Sequence, residues 1–254
     1  MASYDVILPA GGPIKGPFGD VAGTPWKALI QFSDETILQR TLRVLRAHPK
    51  IGRLVVIGPD EVLNHPGTAL ADLKITPGNT GPDNIFRGLD ALKPATKDVL
   101  IVTTDLPFLD EAMIDRFIAG CPETAEICGS LVSQASYEAA FPNSTATFVT
   151  LASESYTLGG VYRMNSAALS RMKPEIDRVF AQRKSKLGMA KLLGLSATIK
   201  FVRKTLTLDQ AIGRVEQILK CKIHAVLSDP HLAYDIDDQE DYDYAVASIL
   251  KNPS

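Results

Sequence analysis

Five glycines, Gly11, Gly12, Gly16, Gly19 and Gly23, follow a short apolar run, with Lys15 among them and Lys27 just beyond. Glycine lets backbone come close to a ligand and adopt positive φ. Successive amides in such a loop form a concavity for anions. With two lysines supplying charge, the chemistry indicated is polyphosphate binding. The spacing is neither G-x-x-x-x-G-K-[ST] nor G-x-G-x-x-G. On these residues alone, a flexible loop with ordinary surface lysines reads equally well.

Two acidic sites have the same flavour. In "VTTDLPFLD" (102–110) an aspartate, Asp105, closes an apolar strand. A carboxylate there needs a partner, and Mg²⁺, which favours one or two carboxylates plus phosphate oxygens, supplies one. Asp110 reads as a helix N-cap, which leaves Asp105 unexplained. In "YDIDDQEDYDYA" (234–245) Asp238, Glu240 and Asp241 suit the positive end of a helix, and either Asp235 or Asp237 is free to share an ion with Asp105. The turn "PGNTGPDN" (77–84) offers Gly78, Asn79, Asp83 and Asn84 to a base edge, or is a plain loop capped by Asp83 or Asn84. The four histidines lie far apart, and neither a nucleophile motif nor metal-ligand spacing of Cys121, Cys128 and Cys221 is present.

Elements that position these residues follow from periodicity. Strands are expected at 4–9, 53–58, 71–77, 98–105, 126–133, 146–152, 158–164, 198–203 and 222–228. Helices are expected from an N-cap at Ser33 or Asp34 to Pro49, and over 83–93, 110–121, 166–182, 186–194, 207–220 and 239–251. Residues 10–26 are expected to be loop. Strand–helix–strand alternation predicts an α/β fold, a mostly parallel sheet in a Rossmann-like three-layer α/β/α arrangement. Ligands in such sheets bind at the carboxyl ends of strands. The 254 residues are read as one domain with an inserted lobe around 126–204. A net charge of −2 argues against nucleic acid. No apolar run reaches ~18 residues, so no membrane partner is expected, and a cytoplasmic location is.

In this order, the motifs resemble those of the nucleotide-diphospho-sugar transferase superfamily, and among them the MobA-like NTP transferases. Leu8-Pro9-Ala10-Gly11-Gly12 is similar to the family's strand-to-loop signature, with Lys15 at its basic position and Lys27-Ala28-Leu29 closing the loop. Val102 to Pro107 resembles its metal-binding strand, with Asp105 as the ligand. Asp235 to Tyr242 resembles its closing D-x-D motif, which places the second metal ligand on Asp237. The resemblance implies a Mg²⁺-dependent nucleotidyltransferase that moves NMP from an NTP to a phosphorylated small-molecule acceptor. Pro9, Ala10, Gly11, Gly12, Lys15, Lys27, Gly78, Asn79, Asp83 and Asn84 would bind the nucleotide, and Lys15, Lys27 and Asp105 would be catalytic. Gly159 and Gly160, in "LGGVYRM", and Lys184 and Lys186 would face the acceptor. Lysine stands at position 15 where the family usually has arginine, and Asp238-Gln239 replaces Thr-Pro. These departures leave a non-catalytic nucleotide-binding protein on the same fold as the alternative.

Overall fold

The computed structural model describes residues 4–182 and 185–251, with the backbone alone given for 186–187, 189–190 and 250–251. Its strands are β1 (Tyr4–Pro9), β2 (Gln31–Phe32), β3 (Glu35–Thr36), β4 (Ile51–Ile57), β5 (Leu73–Ile75), β6 (Asp98–Val102), β7 (Ile127–Ser133), β8 (Val149–Thr150), β9 (Ser155–Asn165) and β10 (Ile223–Leu227). Its helices are α1 (Phe18–Ala22), α2 (Ile37–Ala47), α3 (Asp60–Leu63), α4 (Gly81–Ala91), α5 (Glu111–Ala119), α6 (Gln134–Ala140), α7 (Ser166–Gln182), α8 (Lys186–Leu193), α9 (Leu195–Val202), α10 (Leu208–Leu219) and α11 (Gln239–Lys251).

Eight strands form one sheet in the order β10-β7-β9-β6-β1-β4-β5, with β8 paired to β9. Neighbouring pairs are parallel except where β9 lies antiparallel to β6, β7 and β8. Strand alternation explains the layers. Val6, Leu8, Leu54, Val56, Leu100 and Val102 face α2 and α5 through Leu38, Leu42, Ile114 and Phe117. Ile7, Val55, Ile57, Val99 and Ile101 face the opposite way, onto Phe86 and Leu89 of α4 and Leu169 of α7. A period of two on the strands and 3.6 on the helices thus produces an α/β/α sandwich. Within 126–204, β7 and β9 belong to this central sheet, whereas α8 and α9 pack against α7 and α10.

Local chemistry moved several boundaries. The first long helix is capped by Thr36, whose hydroxyl accepts from the Gln39 amide (3.2 Å). Ser33 and Asp34 instead turn the small β2–β3 hairpin, Ser33 at φ 61°. Thr80, not Asp83 or Asn84, caps α4. Asp110 caps α5 as expected. Residues 198–203 lie in and just beyond α9 rather than in a strand: their amides bond four residues back, Thr198 to the Gly194 carbonyl (3.0 Å) and Arg203 to the Ile199 carbonyl (3.0 Å), and Lys200 ties the helix to Gln210 of α10. The loop after β1 also holds a short helix, α1, which pins Phe18 into an aromatic cluster that includes Tyr234.

Candidate active site

The parallel strands β1, β4, β5 and β6 send their carboxyl ends to one edge, and the loops that follow meet there. Gly11 follows β1 and packs beside Gly58 and Pro59, which follow β4. The Gly11 and Gly12 amides donate to no acceptor among the described residues. The chain then makes an excursion closed at its base by a Pro13–Trp26 bridge and an Ile14 N–H to Pro25 carbonyl bond of 2.8 Å. Gly16 (φ 65°) and Gly23 (φ 66°) shape its turns, in a region that suits glycine. Lys15 is exposed on this excursion. At its end the Lys27 amide donates to the Gly12 carbonyl (3.0 Å), which brings the lysine back under the first glycines.

Lys27 points into a group of carboxylates. Its ammonium pairs with Asp237 and lies 3.5 Å from Asp105 Oδ2. Burial works against its charge, but Asp105, Asp237 and Asp235 together hold its pKa above the ordinary lysine value. The acids converge through the backbone. The Ile236 amide donates to the Asp105 carbonyl (3.2 Å), and the Thr104 hydroxyl donates to the Pro9 carbonyl (3.1 Å). Ile236 is fully buried, so alternation turns Asp235 and Asp237 to the opposite side. Asp238 is spent on α11, accepting from the Glu240 and Asp241 amides. The Asp241 carboxylate in turn accepts from the Asp237 amide (3.0 Å).

Asp105, Asp235, Thr103 and Tyr162 line a cavity of about 160 Å³ together with Gly159 and Gly160. Both glycines are required by the protein's own packing: a Cβ on Gly159 would run into Ser130 and the Leu232 carbonyl, and one on Gly160 into Thr103 and Leu106. Tyr162 keeps its proton more firmly than a free phenol, first through burial and then through Asp105 and Asp235. Neither Tyr162 nor Thr103 was expected at the site. Tyr162 reaches the site only because β9 lies antiparallel beside β6, while in the sequence the Gly159–Gly160 pair alone marked a close approach there.

The turn at 78–84 uses its own side chains. Asn84 Oδ1 accepts from the Gly78 amide (2.6 Å), Asp83 accepts from the Asn79 amide (3.0 Å), and a Cβ on Gly78 would meet the Asp83 carboxylate. What this turn offers outward is therefore its backbone and the exposed Asn79. Lys184 lies outside the described residues, as does the side chain of Lys186.

The donor set suits a hard divalent cation. Asp105 Oδ1 is buried without a hydrogen-bond partner, and Asp235 and Asp237 stand nearby. Among the described residues no three His, Cys, Asp or Glu side chains are grouped to hold an ion unaided.

Crowding leaves its mark on Asp235. Burial, then Asp105 and Asp237, push its pKa up to about 6, with Lys27 pulling the other way. The folded protein thus holds this proton more tightly than the unfolded chain, whose value is 3.8. The folded state binds more protons between those values, so stability drops as pH rises through this window. In chelator without nucleotide, Asp235→Asn should melt above the wild type near about pH 8 and lose that advantage near about pH 4. Equal differences in melting temperature at both pH values would contradict the crowding.

The comparisons agree with this architecture. The family model for the MobA-like NTP transferase domain matches residues 16–174, a span that holds Lys27 and Asp105. A hypothetical transferase from Thermus thermophilus is similar at 25% identity and a TM-score of 0.83, over 95% of this chain and 100% of that one. A 2-C-methyl-D-erythritol 4-phosphate cytidylyltransferase, also from Thermus thermophilus, shares the fold at 16% identity and a TM-score of 0.58, over 98% of each chain. A CMP:2-keto-3-deoxy-manno-octonic acid synthetase solved with CTP does so at 11% identity and a TM-score of 0.58, over 99% of each. No curated protein matches the sequence. With more than half its length matched by the family model and its whole fold shared, the chain belongs to the MobA-like NTP transferase family and is a nucleotidyltransferase.

Proposed function

We propose that the protein transfers NMP from an NTP to a small phosphorylated acceptor, with Mg²⁺, at the edge where β1 and β6 end. The observation that carries this reading is Lys27. It is half-buried below the free Gly11 and Gly12 amides and held between Asp105 and Asp237. An ammonium, free amides and an excess of carboxylate in one cleft suit a metal-bound polyphosphate better than a simple anion.

An acceptor phosphate oxygen attacks the α-phosphorus, the bond to the bridging oxygen of the β-phosphate breaks, and pyrophosphate leaves. The chain positions the reactants and stabilises charge, with no covalent intermediate. Gly11, Gly12, Lys15 and Lys27 hold the triphosphate and offset charge on the leaving pyrophosphate. Pro9 and Ala10 set the direction in which the loop leaves the sheet. Asp105 and Asp237 would hold the cation, which when bound neutralises and aligns the phosphates. Lys27 exchanges its carboxylate partners for phosphate oxygens. The base lies along Gly78 and Asn79, while Asp83 and Asn84 keep that turn in shape. Gly159 and Gly160 border the acceptor side, which we assign to the 126–204 segment.

The test is pyrophosphate release with each of ATP, GTP, CTP and UTP against a panel of acceptors: sugar and polyol phosphates, phospho acids and molybdopterin. One productive pair that requires Mg²⁺ is expected. Tight NTP binding with no release from any pair would overturn transfer in favour of a binding-only role.

A further inference from the structure

The segment 183–204 contains seven lysines and arginines and no acidic residue, in a chain whose net charge is −2. Its second helix, α9, presents an unusual face to solvent. Leu195, Ile199 and Val202, at i, i+4 and i+7, are 77%, 43% and 75% exposed, and no residue of α9 is buried. Ala197 and Lys200 lie towards Leu206, Gln210 and Arg214, in a groove that Leu195 borders while itself 77% exposed. The apolar stripe therefore points away from the protein, the reverse of what a surface helix normally does. Lys191, Arg203 and Lys204 are exposed around it.

The helix is nonetheless held in this orientation. The Lys200 ammonium of α9 donates to Gln210 Oε1 of α10 (3.3 Å), and Arg214 of α10 donates to the Leu192 carbonyl of α8 (2.7 Å), just before α9. The Thr198 hydroxyl returns to the Gly194 carbonyl (2.9 Å). The Ala152 amide donates to the Leu206 carbonyl (2.9 Å), which anchors the segment following α9 to the loop between β8 and β9.

We propose that α9 docks on an anionic membrane surface, lying in the interfacial plane with Leu195, Ile199 and Val202 inserted and the surrounding lysines and arginines over the headgroups. Charge decides the occupant. A second copy would set one all-basic segment against another, a repulsive pairing for an isologous contact. A negatively charged lipid surface pairs with Lys191, Arg203 and Lys204, which are exposed beside the stripe, and a narrow convex apolar stripe needs only shallow insertion. That no helix among the described residues is long and apolar enough to cross a membrane is compatible with this, because interfacial docking needs no span. The inference is independent of the transfer reaction.

The test is co-sedimentation of the full chain with vesicles of phosphatidylcholine alone or with about 30 mol% phosphatidylserine. Binding is expected only with the anionic lipid and should weaken strongly as salt is raised. Leu195→Ser/Ile199→Ser/Val202→Ser and, separately, Arg203→Gln/Lys204→Gln should each lower vesicle affinity by roughly tenfold or more. Both should keep the wild-type melting temperature, since the altered side chains are exposed. A wild type that stays in the supernatant at low salt would overturn the proposal. So would equal binding to neutral vesicles, an unaffected stripe variant, or an oligomer or acidic-peptide complex that forms through this face in place of vesicle binding.

Discussion

Lys27→Ala leaves a folded protein whose pyrophosphate release falls by roughly 10²–10³-fold or more, the loss typical of removing one preorganised donor. The same change removes the ammonium that separates Asp105 from Asp237, so the metal-free protein becomes more crowded with negative charge. Its Mg²⁺ affinity should therefore hold or rise while turnover collapses. Asp105→Ala is expected to lose turnover together with Mg²⁺ binding, because Asp105 Oδ1 is a buried carboxylate oxygen with no hydrogen-bond partner among the described residues. The opposite metal responses would distinguish the two proposed roles, phosphate binding for Lys27 and cation binding for Asp105. Steady-state turnover and Mg²⁺ titration of both variants check this, and normal turnover in either removes that residue from the mechanism.

The second large effect is on stability and lies at the far end of the sheet. Asp5 on β1 is 2% exposed and satisfies donors from two other segments, at Arg53 and Thr96. It accepts from the Arg53 amide (3.0 Å), the Arg53 guanidinium (2.7 Å) and the Thr96 amide (3.2 Å). Burial raises the pKa of its carboxyl, but the Arg53 and Thr96 hydrogen bonds outweigh this and hold it below the ordinary aspartate value. Asp5→Ala strands these donors and should cost about 3 kcal/mol at neutral pH. That is a fall of roughly 10 °C in melting temperature for a chain of this size. The sign with pH follows from the lowered value. The contribution is complete above the unfolded pKa of 3.8 and disappears as pH falls through the folded value. The wild type's advantage in melting temperature should thus shrink in acid; an advantage that persists below about pH 2 would contradict the account.

The sequence was most readable where one physical rule acted alone. Buried strands such as Asp98–Val102 and helices such as Gln239–Lys251 announced themselves by apolar period. That Asp105 stands just beyond a strand end was legible in the apolar run before it. It was less readable where two rules competed. Leu195–Val202 carries β-branched residues that suit a strand, yet its amides bond four residues back in a helix tied to α10. Thr36 took the cap from Ser33 and Asp34 because a hairpin turn claimed both first. The partnership of Lys27 with Asp105 and Asp237 spans 78 and 210 residues of sequence respectively, and only the sheet order brings them together. Tyr162 was hidden for the same reason: its position at the cavity depends on β9 running antiparallel beside β6.

The most direct measurement is thermal unfolding with ATP, GTP, CTP and UTP in turn, each with and without Mg²⁺. A nucleotide at ~100 times its dissociation constant adds about 2.7 kcal/mol, which raises the melting temperature by several degrees. The account predicts such a rise for at least one nucleotide, dependent on Mg²⁺ and absent in Asp105→Ala. No rise with any of the four, or a rise indifferent to Mg²⁺ and to Asp105, would contradict a metal–triphosphate site at this edge.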